Sequence, residues 1–374
     1  MTTNGPETSD GDSETTESPQ CTNNSQCEFY QECIDGECVG EHVCCTNSES
    51  IRPRGVELML VLDKSGSMVN PSKSWDHDGD DADDDGFVDN DPMQAATPRR
   101  SRWSSLHIAV TGFATLYDRH FNLGATLFPS LEAQAVLGPE ACLVSEAPEV
   151  PVDEMHAEML LATIPQGTAD NLKGGTPTST ALGVAYAHVD PSNAVVVLVT
   201  DGSPVCRQDA ESDMELLDYD EAAIGIVADA WNQLGVPTYV VGLDIRDEWD
   251  DLDLNPHVQL DALAEVGGVA NPEGDVAYYG ASTEAELVGF LEVTVGRELA
   301  CTIPGYPAFS DELNPTISLG QMPVQRLDPD ECDVQSGWTQ TDDSLKFCGD
   351  ACTSFVDVGL AELQFCSSGG IRPC

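Results

Sequence analysis

The chain has 374 residues, with 66 Asp plus Glu against 15 Lys plus Arg and a formal net charge of −51 at pH 7. A charge of that sign and size excludes nucleic acid and anionic membrane surfaces as partners, because both repel it, and it favours cations. Hydrophobic residues at 41% still allow a sizeable core, and the length allows one large domain plus smaller modules.

Residues 1–20 are polar and free of aromatics, which predicts a disordered acidic tether. Residues 21–50 are read as a cysteine-rich module, with Cys21, Cys27, Cys33, Cys38, Cys44 and Cys45 in a segment too short to bury a core without staples. From Val56 the texture changes. Val56-Glu57-Leu58-Met59-Leu60-Val61-Leu62 is a near-continuous apolar run, as expected of a strand covered on both faces, and it stops at Asp63-Lys64-Ser65-Gly66-Ser67. After an acidic insertion over 70–102, helical spacing runs from Trp103 to Tyr117. A strand follows at 123–128, then helices at 153–163 and, after Gly174-Gly175-Thr176-Pro177, at 178–188. Ala194–Thr200 is a second buried strand, stopping at Asp201-Gly202. A helix at 220–234, a strand at 238–243, a helix at 256–266, a short strand at 276–279 and a helix at 283–299 complete the series.

Strands alternating with helices predict an α/β fold over 51–300, a doubly wound, mostly parallel sheet with helices on both faces. Residues 301–374 lose the helical period. They hold Cys301, Cys332, Cys348, Cys352, Cys366 and Cys374, and read as a small disulfide-stapled β module. Clustered cysteines, 14 in all, point to an oxidising compartment; for zinc, only Cys348-Gly-Asp-Ala-Cys352 has close ligand spacing. No apolar stretch reaches the ~18 residues of a membrane span.

Ligands of open parallel sheets bind beyond the carboxyl ends of the strands. Asp63 and Asp201 both sit there. Ser65 and Ser67, two apart with Gly66 between them, can aim two hydroxyls at one centre; Thr176 can add a third and Asp201 a second carboxylate. Hard oxygen donors of this kind suit Mg²⁺, Mn²⁺ or Ca²⁺. So few direct charges leave the metal electrophilic, with a position open to a carboxylate from another molecule.

The order Asp63-x-Ser65-x-Ser67, then Gly174-Gly175-Thr176, then Thr200-Asp201-Gly202, each in its strand context, closely resembles the von Willebrand factor type A family over roughly 55–300. The resemblance implies that Ser65 and Ser67 ligate the metal directly and that Thr176 does so directly or through water. It places Asp63 and Asp201 mostly behind them, holding waters and hydroxyls. It also implies an acidic group of a protein ligand or matrix component as the partner. The modular layout resembles bacterial surface lipoproteins, which implies a cell-surface, extracellular or periplasmic location. Met1 leads straight into Thr, Ser, Glu and Gly with no visible export signal, so the start is read as truncated or misplaced.

The insertion departs from the family pattern. Asp81, Asp83 and Asp85 alternate, Gly86 supplies a turn, and Asp89 and Asp91 follow, which resembles a Ca²⁺ loop of the thrombospondin type 3 kind. Pro92 stands where an EF-hand needs its bidentate Glu. The other reading is a solvated acidic loop. Cys142 and Cys206 either bridge two loops at the rim of the metal face, pair with a terminal module, or stay free. Enzymatic chemistry finds little footing: Ser65 occupies the place where aspartyl-phosphate phosphatases need a second Asp, and no Gly-x-Ser-x-Gly or His-Glu-x-x-His motif is present. The competing non-enzymatic reading is a structural Ca²⁺-dependent surface or assembly component.

Overall fold

The computed structural model describes residues 32–34, 37–39, 48–51, 56–70, 75, 100–245, 247, 255–272, 274–297, 300–304, 313–320, 322–332, 334–340, 344–358 and 361–367. The chain divides into two compact units, one of residues 1–49, 309–317 and 362–374, the other of 50–308 and 318–361. The stretch after Cys301, read from sequence as one module, is shared between them. In the smaller unit, β1 (Glu32–Ile34) and β2 (Glu37–Val39) pair antiparallel, with Cys33 opposite Cys38. Strand β3 follows at Ser48–Ile51.

The larger unit is organised by β4 (Val56–Asp63), in which Leu58, Met59, Leu60, Val61 and Leu62 are all fully buried. Burying such side chains contributes about 1.5–3 kcal/mol each, so this run is where the domain's core begins. Next come α1 (Arg102–Tyr117), β5 (Phe121–Phe128), β6 (Val150–Glu154), α2 (Ala157–Thr163), α3 (Thr178–Ala187) and β7 (Ala194–Thr200). Then follow α4 (Ala222–Asp229), β8 (Thr238–Leu243), α5 (Pro256–Glu265), β9 (Tyr279–Ala281) and α6 (Glu284–Gly289). The strands form one sheet in the order β6-β5-β4-β7-β8-β9. All neighbours are parallel except the antiparallel edge pair β5–β6.

Strand geometry sends alternate side chains to opposite faces. Leu58, Leu60 and Leu62 of β4, with Val195, Val197 and Val199 of β7, pack into one core under α1, α2 and α6, where Phe113, Leu160 and Leu287 meet them. Met59 and Val61, with Val196 and Leu198, pack into a second core under α3, α4 and α5, joined by Leu182, Val227 and Leu263. The doubly wound α/β class expected from the sequence is therefore the observed one.

Some boundaries differ. Residues 153–154, expected in a helix, end β6, and α2 begins only at Ala157. Pro151 and the polar exposed positions of β6 hide its strand character, which comes from pairing with β5 at the sheet edge. The helix expected at 220–234 is α-helical to Asp229 and then takes a wider π turn over Ala230–Leu234, ending at Gly235 in the left-handed region (φ 73°). The last helix does likewise, with α6 passing into a π segment at Phe290–Arg297.

Beyond it, β10 (Thr302–Pro304), β13 (Gly337–Gln340) and β14 (Ser344–Cys348) make a three-stranded sheet, while β11 (Leu313–Leu319), β12 (Met322–Val324) and β15 (Ala361–Ser367) complete the strands. A helix not expected from sequence, α7 (Asp350–Val358), follows β14 and stacks Phe355 on Phe347 with ring centroids 4.3 Å apart. Cys301 is bridged to Cys352 and Cys332 to Cys348. Cys348 and Cys352, the pair with close ligand spacing, are thus both held in disulfides. No helix among the described residues is long and apolar enough to cross a membrane.

Candidate metal centre

The strand order is that of a doubly wound sheet whose winding reverses between β4 and β7, and such a reversal opens a crevice at the carboxyl ends of the two strands. Register puts Leu62 beside Val199 and so places Asp63 and Asp201 across that crevice. Asp63 is fully buried and Asp201 nearly so.

The loop after β4 turns back on Asp63. Ser65 donates its amide to Asp63 Oδ1 at 2.7 Å, and Thr200, the last residue of β7, donates its hydroxyl to Asp63 Oδ2 at 2.7 Å. A short 3₁₀ turn over Gly66–Val69 then brings Ser67 around. Ser65 Oγ and Ser67 Oγ share a hydrogen bond of 2.8 Å, and Ser67 Oγ donates to Asp201 Oδ1 at 2.6 Å. Asp63, Ser65, Ser67 and Asp201 therefore form one continuous polar chain across the switch point.

The Thr176 loop is drawn to the same place. Gly66 donates its amide to Gly174 O at 3.2 Å, Gly175 to Ala141 O at 2.9 Å, and Val205 to Thr176 O at 3.0 Å. Both glycines are required, for different reasons. Gly174 sits at φ 113°, open only to glycine, and a Cβ there would stand 2.3 Å from Pro129 Cγ. Gly175 lies against the disulfide that joins Cys142 to Cys206, and a Cβ would stand 2.7 Å from Cys206 Sγ. The bridge ties the loop after β5 to the loop after β7 and backs the Gly-Gly-Thr segment between them. Asp81, Asp83, Asp85, Asp89 and Asp91 lie outside the described residues.

Burial, and after it the neighbouring Asp201 carboxylate, push the Asp63 carboxyl well above the usual carboxylate range, to about 7, against the Thr200 and Ser65 hydrogen bonds, which pull it down. Lys64, also buried, has its pKa lowered by desolvation, against the opposing pull of Asp63 and Glu149. Two carboxylates thus share a buried crevice and repel each other, and Arg102 stands at ion-pair distance from Asp201. Asp201 Oδ2 is buried without a hydrogen-bond partner. These features fit a divalent cation seated at Ser65 and Ser67, with the carboxylates behind. Among the described residues no group of three or more His, Cys, Asp or Glu is gathered as metal ligands.

Two contributors were missed at the sequence level. Thr200 was read only as the end of a strand, although a hydroxyl at the last strand position beside Asp63 was the available signal. Arg102 was read only as the edge of the insertion. It is 6% exposed, its guanidinium hydrogen-bonds Asp244 at the end of β8, and Nη1 stands 3.7 Å from Asp201 Oδ2.

No family model matches the chain, and no curated protein matches it. Among solved structures, the PilB minor pilin of Streptococcus sanguinis is 15% identical with a TM-score of 0.37, over 64% of this chain and 60% of the pilin. The chain thus spans less than two thirds of that protein's length. Manganese-loaded TRAP protein of Plasmodium vivax is 17% identical with a TM-score of 0.37, over 68% of this chain and 78% of its own. A von Willebrand factor type A protein of Catenulispora acidiphila is 10% identical with a TM-score of 0.34, over 90% and 67%. At such identities and TM-scores none of these likenesses bears on function. The class that the chain itself defines is a doubly wound α/β domain with a hydroxyl-and-carboxylate crevice at its switch point.

Proposed function

We propose that the chain is a binding protein that holds a divalent cation, Mg²⁺ or Mn²⁺ with Ca²⁺ as the alternative, at Ser65, Ser67 and Thr176. Through that cation it takes up an acidic group of a protein partner. The observation that carries this reading is the hydrogen-bonded series Asp63–Ser65–Ser67–Asp201 at adjoining strand ends. Hydroxyl ligands leave most of the cation's charge uncompensated, so its remaining position favours an anionic oxygen.

A binding role is supported over a catalytic one by the serines' partners. Their hydroxyls bond to each other and to Asp201, and among the described residues no histidine contacts either of them, as a serine nucleophile would need. The rim supports a protein as the ligand. Val136 and Leu137 on the loop after β5, and Met214 on the loop after β7, are 69%, 65% and 72% exposed. These loops approach each other where Gly138 meets Asp213. Apolar side chains left open beside a metal face are what a partner's surface covers. The three disulfides of the described residues support a location outside the reducing cytoplasm.

The test is cation-dependent capture. Surface or matrix partners retained by the immobilised full chain in Mg²⁺ should be released by EDTA and should not be retained by Asp63→Ala. Retention unchanged by both would contradict the proposal and favour a purely structural role.

A further inference from the structure

Arg102 is oddly placed for a surface helix. It opens α1, just after Ser101, whose hydroxyl caps the helix by accepting the Ser104 amide. The first turn of a helix favours anions and disfavours cations, so an arginine there needs a separate source of stabilisation. It is also buried, which an unpaired guanidinium does not tolerate. Asp244 and Asp201 supply the compensation. Nη2 donates to Asp244 Oδ2, while Nη1 stands 3.7 Å from Asp201 Oδ2, at ion-pair rather than hydrogen-bond distance. The Trp75 ring lies over the guanidinium, 5.9 Å from its centroid, and Trp75 is itself fixed by donating to Ser105 Oγ at 3.1 Å. Asp244 sits at φ 51°, the left-handed region, and its amide donates to Ala281 O at 2.9 Å.

One positive charge is thus divided unequally between two carboxylates. Asp244 holds the guanidinium closely. Asp201, the carboxylate that also receives Ser67, feels it at longer range. We propose that Arg102 is a charge-tuning positioning residue for the metal centre, an internal cation that partly neutralises Asp201 and so limits how tightly the serine loop holds its divalent ion. Asp244 sets how much of that charge reaches Asp201. An ion held less tightly from behind keeps more of its charge for the acidic ligand in front. This inference rests on the metal-centre reading above and specifies how that centre is tuned.

The arrangement makes two variants move in opposite directions. Arg102→Gln removes the competing positive charge beside Asp201, so Mn²⁺ should bind more tightly, on the order of tenfold. Asp244→Asn, which suits the left-handed backbone, loosens the nearer partner and releases the guanidinium toward Asp201, so Mn²⁺ should bind several-fold more weakly. Arg102→Lys keeps the charge and should stay within about threefold of wild type. The experiment is titration of each full-length chain with Mn²⁺ alone, followed by the electron-paramagnetic-resonance signal of free Mn²⁺, with metal-free thermal melts recorded alongside. A merely structural role would weaken binding in both Arg102→Gln and Asp244→Asn. That outcome, or equal affinities in all four chains, overturns the inference while leaving the metal centre standing. A wild-type chain that binds no Mn²⁺ removes both.

Discussion

Gly175→Ala should destabilise the larger unit through the disulfide and through nothing else. The new Cβ would stand 2.7 Å from Cys206 Sγ, 3.6 Å from Cys142 Sγ and 3.9 Å from Ala141 O. The first separation is about 1 Å inside ordinary contact. The sulfurs cannot swing aside singly because each is tied to the other and to its own loop. Overpacking of this kind costs about 1–3 kcal/mol, and alanine returns about 0.4–1 kcal/mol by restricting the unfolded chain. A net loss of about 1–2 kcal/mol follows, read as a fall in Tm of about 2–8 °C. In a Cys142→Ala/Cys206→Ala background the colliding sulfurs are gone, and the same substitution should cost under about 0.5 kcal/mol, a coupling of about 0.5–2 kcal/mol. Gly183→Ala is the control: it lies on the exposed face of α3 with nothing within 4 Å of its Cβ, and should stabilise by about 0.5–1 kcal/mol. Thermal and urea melts of these chains without reductant give the numbers. An equal cost of Gly175→Ala with and without the disulfide would refute the reasoning.

Two further predictions concern the carboxylates. Thr200→Val removes the donor 2.7 Å from Asp63 Oδ2 without changing side-chain shape much, and should destabilise the chain by about 1–3 kcal/mol and weaken Mn²⁺ binding; melts and titrations unchanged from wild type would show that Asp63 does not depend on it. The Asp63 carboxyl titrates at about 7 without metal, above its ordinary value of 3.8, so in the metal-free chain its contribution favours folding at low pH and is lost as pH rises toward 7. A cation reverses that balance, so binding near pH 7 should release protons and affinity should fall as pH drops below 7. Calorimetry in buffers of different ionisation enthalpy measures the protons released, and an enthalpy independent of buffer would contradict the reading.

The sheet and the turn from Asp63 to Ser67 were legible for a common reason. Leu58–Leu62 and Val195–Val199 are runs too apolar for any place but a sheet covered on both faces, and a chain that breaks such a run with Asp marks the carboxyl end of the strand. Ser65, Ser67 and the Gly-Gly of 174–175 are local signals of a tight turn. What the sequence concealed depends on tertiary neighbours. Strand β6 pairs only because β5 offers an edge, and nothing in Val150–Glu154 alternates strongly enough to announce it. Helix α7 is short and carries Cys352, Thr353 and Ser354, which have no strong helical preference; its place comes from Phe355 packing on Phe347 and from the bridge to Cys301. Arg102 escaped notice because its partners, Asp201 and Asp244, are 99 and 142 residues distant in the chain. The acidic run from Asp76 to Asp91 remains an expectation from sequence, since it lies outside the described residues.

The central claim is that Ser65 and Ser67 hold a divalent cation with Asp63 and Asp201 behind them. Calorimetric titration of the full chain with Mg²⁺ and with Mn²⁺, set beside Ser65→Ala/Ser67→Ala, tests it most directly. The account predicts a binding event in the wild type that is missing from the double variant, while both chains keep the same far-ultraviolet circular dichroism. Identical titrations of the two chains would contradict it.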